Sequence, residues 1–120
     1  MVVRIASRTI YSGTVTTSPI GSPVVVVDIP NQDEIYIIEG YIDLSAMQDG
    51  DSVNIVEYIN VDGTNLRTYA KSTFTNAQDE PIIRFHSKLL KNAYRVEITQ
   101  TAGDPRSFPY WFCLLKFEVV

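Results

Sequence analysis

Fourteen carboxylates, one histidine and one cysteine are the side chains of this 120-residue chain with the most obvious chemistry. Nucleophilic catalysis needs a nucleophile, a base and a group that orients the base. Cys113 and His86 could form the first pair. Cys113, however, sits in the apolar run Tyr110-Trp111-Phe112-Cys113-Leu114-Leu115. Burial there would raise the thiol pKa and leave it inert, so the run implies a buried thiol. His86 follows Pro81-Ile82-Ile83-Arg84-Phe85 and faces away from Phe85, as a surface or hydrogen-bonded strand histidine would.

Paired carboxylates could support glycoside hydrolysis. Glu39, Glu57, Glu97 and Glu118 all fall within or near the ends of apolar segments. Glu57 shares a face with Val53, Ile55 and Ile59, and a neighbouring-strand partner among Arg67, Lys71, Arg84 and Arg95 is its simplest explanation. A short sandwich also lacks the long loops that shape a cleft, so no enzyme and no cofactor are expected. One Cys and one His exclude an ordinary structural zinc. Asp43, Asp49 and Asp51 lie in or beside "DLSAMQDGDS", which lacks the EF-hand spacing. A solvated acidic turn is the simpler reading, with a loop-bound cation as its alternative. Tyr110 and Trp111, just after "DPRSFP", stand either at a loop rim, where aromatics bind sugars, or in a strand.

These residues must be carried on strands. Val, Ile and Thr make up 36 of the 120 residues, against 6 Leu and 6 Ala. β-branched side chains favour pleated surfaces over helices. Apolar runs over 2–6, 9–17, 24–29, 34–44, 52–61, 66–75, 81–86, 93–101 and 109–119 are separated by Gly, Pro, Asn and Asp clusters. One helical turn is expected over 87–92, with Ser87 and Asn92 as caps. Eight or nine strands at this spacing imply an all-β domain, a single antiparallel β-sandwich. A jelly roll is the favoured connectivity, with an up-and-down barrel as the alternative. The division is an extended arm with the first strands over 1–30 and a sandwich body over 31–120, one domain overall.

Several strands carry apolar side chains on both faces. Ile35, Ile37 and Tyr41 oppose Tyr36, Ile38, Ile42 and Leu44. Val56 and Tyr58 oppose Val53, Ile55 and Ile59, and Trp111 and Cys113 oppose Tyr110 and Phe112. Soluble monomers rarely expose large apolar patches. Ile35, Ile37, Tyr41, Val56, Tyr58, Tyr110 and Trp111 are therefore the candidate interface residues, covered by the arm or by another subunit. Residues 1–27 hold Arg4 and Arg8 and no acid, and are the candidate for strand addition to a neighbouring copy.

The net charge of −4 argues against a general nucleic-acid binder, which needs clustered Lys and Arg. No segment approaches the roughly 20 apolar residues of a membrane helix. "MVVRIASRTIYSG" lacks a signal-peptide pattern, so a soluble, unprocessed chain is expected.

Residues 41–117 show a further texture. "DLSAMQDGDS" is followed by "VEYINVDG", a strand pair and the return "SKLLKNAYRVEITQTAGDPRSFPY", where Ile98, Gln100, Thr101, Ala102 and Gly103 form an aliphatic-to-Gln-Thr-Ala-Gly pattern. The stretch resembles small capsid-decorating or capsid-associated virion proteins of tailed double-stranded DNA phages and archaeal viruses. That resemblance implies a jelly-roll-like sandwich with a structural role. The partners implied are copies of the chain, as a trimer or ring, and a major capsid or other virion protein. The location implied is the virion, assembled in the host cytoplasm.

Overall fold

The computed structural model describes residues 2–119. Eight strands follow one another: β1 (Val3–Thr16), β2 (Val24–Ile29), β3 (Tyr36–Asp43), β4 (Ser52–Asn60), β5 (Leu66–Thr75), β6 (Ile82–Leu90), β7 (Tyr94–Ala102) and β8 (Ser107–Val119). They form two four-stranded antiparallel sheets, ordered β1-β8-β3-β6 and β2-β7-β4-β5. The chain thus behaves as one long hairpin. β4 pairs with β5 at its tip, and β3 with β6, β2 with β7 and β1 with β8 behind it. Winding that hairpin over itself places β3 beside β8 and β4 beside β7. This is a jelly roll. An up-and-down barrel would have kept sequence neighbours adjacent.

The inner faces follow the period-two pattern of the sequence. Tyr36, Ile38, Ile42, Phe108, Phe112 and Leu114 from the first sheet meet Val27, Ile29, Val53, Ile55, Tyr94, Val96 and Ile98 from the second. Gly40 is inward on β3 because the Phe112 ring occupies the space where a Cβ would stand.

Two boundaries differ from the sequence expectation, and both differences are bulges. The segments 2–6 and 9–17 merge into one 14-residue strand, with a register shift between Ile5 and Ser7. Residues 87–90 are not a helical turn but the end of β6. Opposite Ile38–Gly40 the register of β6 jumps from Lys88 to Phe85, so His86 and Ser87 together face Glu39. The extra residue breaks the alternation, which made 87–92 look helical. It also turns Lys88 inward, on the side of Ile38.

Candidate interaction surface

The pleat assigns each side chain of the β1-β8-β3-β6 sheet to the core or to the outside. On β8, Pro109, Trp111, Cys113, Leu115 and Phe117 point outward, against Phe108, Tyr110, Phe112 and Leu114 inward. In register beside them on β3 stand Ile37 next to Leu115, Glu39 next to Cys113, and Tyr41 next to Trp111. β1 adds Ile10 beside Cys113 and Ile5 beside Phe117. β6 adds Leu89 beside Ile37 and Ile82 beside Asp43. The outer face is therefore an apolar field with few charges: Arg8, Glu39, Asp43 and Arg84. Trp111 is 43% exposed and Leu89 63%. Ile37, Glu39, Tyr41, Trp111, Cys113 and Leu115 line a shallow depression of about 450 Å3. A second one, of about 630 Å3, lies near the paired chain ends against Val3, Ile35, Phe117 and Val119.

From Pro109 to Phe117 the field runs along β8 for about 27 Å and across four strands for about 15 Å, on the order of 400 Å2 before side-chain relief. That lies in the range of the largest apolar patches on monomers. It is of the same order as one side of a standard protein interface.

The outer face of the other sheet differs. Val56 pairs with Glu97 and Lys71, and Tyr58 pairs with Arg95 and Thr68. The Tyr58 hydroxyl lies 3.3 Å from Glu97 Oε1, and Arg95 Nε lies 2.9 Å from Glu97 Oε2. Val56 and Tyr58 thus sit inside a polar lattice.

The seven candidate interface residues accordingly separate. Ile37, Tyr41 and Trp111 share the apolar field, with Ile35 just before β3 at its margin. Val56 and Tyr58 lie on the opposite side of the molecule. Tyr110 points inward and packs on the core. Leu115, Phe117, Ile10 and Leu89 belong to the field although the candidate set did not contain them. Leu115 and Phe117 were legible from their alternation with Tyr110, Phe112 and Leu114, and the other two depend on strand pairing.

The chemistry-bearing residues are dispersed. Glu39 is on the apolar outer face, Glu97 on the polar one, and Glu118 pairs with Arg4 across the β1–β8 ribbon at 2.5 Å. Glu57 alone faces the core. Its partner is none of the four cations expected but Lys88 from the opposite sheet, 2.9 Å away, with both side chains close to nine-tenths buried. The Tyr94 hydroxyl donates to the same carboxylate oxygen, Glu57 Oε2, at 2.6 Å. Burial, followed by this carboxylate, pushes the Tyr94 phenol pKa far up. Cys113 is half-buried on the outer face rather than buried. His86 is exposed at the β6 bulge, two strand spacings away across β3, roughly 9–10 Å in the sheet plane.

The acidic loop is a structural knot. Asp51 receives Arg106 Nε at 2.8 Å and Nη2 at 3.2 Å, and the Gln48 backbone N–H at 2.9 Å. Arg106, followed by the Gln48 amide, holds the Asp51 carboxyl below its usual range against the opposing effect of burial. Gly103, at φ +87°, leaves room for that carboxylate where a Cβ would collide with it. Asp43 accepts from the Ser45 N–H and Asp49 from the Ala77 N–H. No group of three or more potential metal-ligating side chains occurs among the described residues. Beside the knot, buried Gln100 bonds Thr17 and donates to the carbonyls of Ala102 and Asp104. Sequence reasoning did not find this network, because its members come from β7 and from three loops far apart in the chain.

These features define an eight-stranded jelly roll with one apolar and one polar outer face. Its fold is similar to that in the crystal structure of the infectious bursal disease virus VP2 subviral particle. The identity is 12%, the TM-score is 0.51, and the match covers 94% of this chain and 33% of that one. The chain thus spans about a third of that protein's length. No family model and no curated protein matches the sequence.

Proposed function

We propose that the chain is a non-enzymatic virion structural protein that self-associates and attaches to a capsid or other viral shell, in the manner of a decoration or cement protein. The observation that carries this reading is the apolar outer face of the β1-β8-β3-β6 sheet around Trp111 and Leu115. Two further facts support it: jelly rolls are a common architecture of viral capsid domains, and the fold is similar to that of a subviral-particle protein. The sequence texture over 41–117 supports the finer assignment to tailed-phage or archaeal virions. Adhesion acts by area: at about 25 cal/mol per Å2, burial of this face offsets the entropy lost on association. The expected assembly is a trimer or ring on a larger shell, formed in the host cytoplasm. The test is sedimentation equilibrium and shell binding of the Trp111→Glu variant. Its self-association should weaken at least about thirtyfold, the effect of losing a central aromatic anchor. Unchanged assembly and shell binding with an intact fold would contradict the assignment.

A second reading, a glycan- or receptor-binding module on a spike or fibre, is favoured by one observation. Exposed Trp111 stands in register beside Tyr41, with Asp43 nearby in the same shallow hollow. Specific binding on a glycan array that Trp111→Ala abolishes would favour it.

A further inference from the structure

Each sheet ends in two edge strands, whose outward N–H and C=O groups can pair with another chain unless something blocks them. Three of the four edges are blocked. β2 has six residues between Pro23 and Pro30, with a register shift in its middle. β5 is bulged at Tyr69 and carries Arg67 and Lys71. β6 is bulged at His86–Ser87 and carries Arg84 and Lys88. β1 has none of these devices beyond Arg8. It runs in unbroken register from Ser7 to Thr16, has no proline, and is uncharged from Thr9 onward.

The ladder identifies which groups are free. The Thr17 N–H bonds the Arg106 carbonyl at 3.0 Å, on the β8 side. Antiparallel bonding alternates by residue, so the odd-numbered residues from Thr9 to Val15 also bond towards β8. Ile10, Ser12, Thr14 and Thr16 therefore direct their N–H and C=O groups to the open edge.

We propose that this edge pairs antiparallel with the same edge of a second copy, about a twofold axis at Gly13, joining two β1-β8-β3-β6 sheets into one of eight strands. The inference deepens the self-associating reading and rests on it, naming a contact separate from the apolar face. The occupant is a second copy because β1 is the single open edge among the described strands, so edge-to-edge pairing of like chains must be β1 with β1, an isologous contact. The charge pattern fits this register. Ile10 meets Thr16 and Ser12 meets Thr14 of the second copy, giving about eight hydrogen bonds. Arg4 and Arg8 fall outside the paired stretch, so no like charges meet. Tyr11 meets Val15 on the inner side, an aromatic and β-branched pair.

Thr14→Pro tests the contact. Its N–H faces the open edge, so proline removes no bond to β8 and suits an edge strand. Thr14→Lys serves as a second variant that keeps the N–H but places charge at the contact. Both are measured by sedimentation equilibrium, alone and combined with Trp111→Glu. The expected results are a dimer for Trp111→Glu, a monomer when either edge variant is added, and at least tenfold weaker dimerisation. Amide exchange at Ile10, Ser12, Thr14 and Thr16 should slow as concentration rises. A dimer abolished by Thr14→Pro but untouched by Trp111→Glu would support the edge contact and count against the apolar face. Assembly lost with Trp111→Glu alone, or unaffected by both edge variants, or edge amides whose exchange ignores concentration, would overturn the edge contact and leave the face reading standing.

Discussion

Asp51 and Arg106 fasten the β3–β4 loop to the loop before β8 through two hydrogen bonds. Arg106→Ala removes both and leaves a buried carboxylate with only backbone support. A loss of about 2–3 kcal/mol in urea unfolding is expected, the range for hydrogen bonds to charged groups. The same carboxyl sets an acid limit. Its folded pKa lies below the unfolded value of about 3.9, so its contribution is complete above that pH and fades as pH falls through the lower folded value. Asp62, pulled down to about 2 by the Asn65 side chain and the turn amides, acts in the same direction. Acid unfolding followed by circular dichroism should therefore be less steep below about pH 4 in Asp51→Asn than in the parent. The pair Glu57–Lys88 behaves differently, because it bridges the two sheets in a nearly dry setting. Lys88→Met alone strands a charge and should cost about 3–5 kcal/mol, whereas Glu57→Leu with Lys88→Met should return near parent stability. A double-mutant cycle reads this directly, and additive losses would contradict it.

Elements were mostly legible because runs rich in β-branched residues are bounded by Gly, Pro, Asn and Asp clusters. The runs 24–29, 66–75 and 93–101 lie within a residue or so of β2, β5 and β7. What the pattern hid was local irregularity. A bulge inserts one residue, so β6 lost its period two after Phe85, and the merged β1 was read as two strands around Ala6. Register between strands was hidden too, and with it the identity of Lys88 as the partner of Glu57. At this scale the close fit of β3 on β8 is the most exposed to test. Gly40→Ala drives a Cβ into the Phe112 ring, and overpacking of this kind costs roughly 1–3 kcal/mol. Differential scanning calorimetry should show a lowered Tm, and Gly40→Ala with Phe112→Leu should recover part of it.

The whole molecule measures 54 × 28 × 18 Å, long because β1 and β8 run its full length as a paired ribbon. Its two outer faces divide the apolar residues unequally. The sequence showed greasy side chains on both sides of several strands, but not that Ile37, Tyr41, Trp111 and Leu115 would converge on one sheet while Val56 and Tyr58 joined a charged lattice on the other. Only strand order decides that, and strand order is a long-range property of the winding. The polar face is suited to water and the apolar face to burial, which is the sidedness that the proposed self-association requires. Sedimentation equilibrium of the full chain beside Leu115→Lys, at matched concentrations and with the fold checked by circular dichroism, tests that sidedness most directly. The expected result is a multimer for the parent and a smaller species for the variant. A parent chain that remains monomeric at several hundred micromolar, or a variant of unchanged mass, would contradict it.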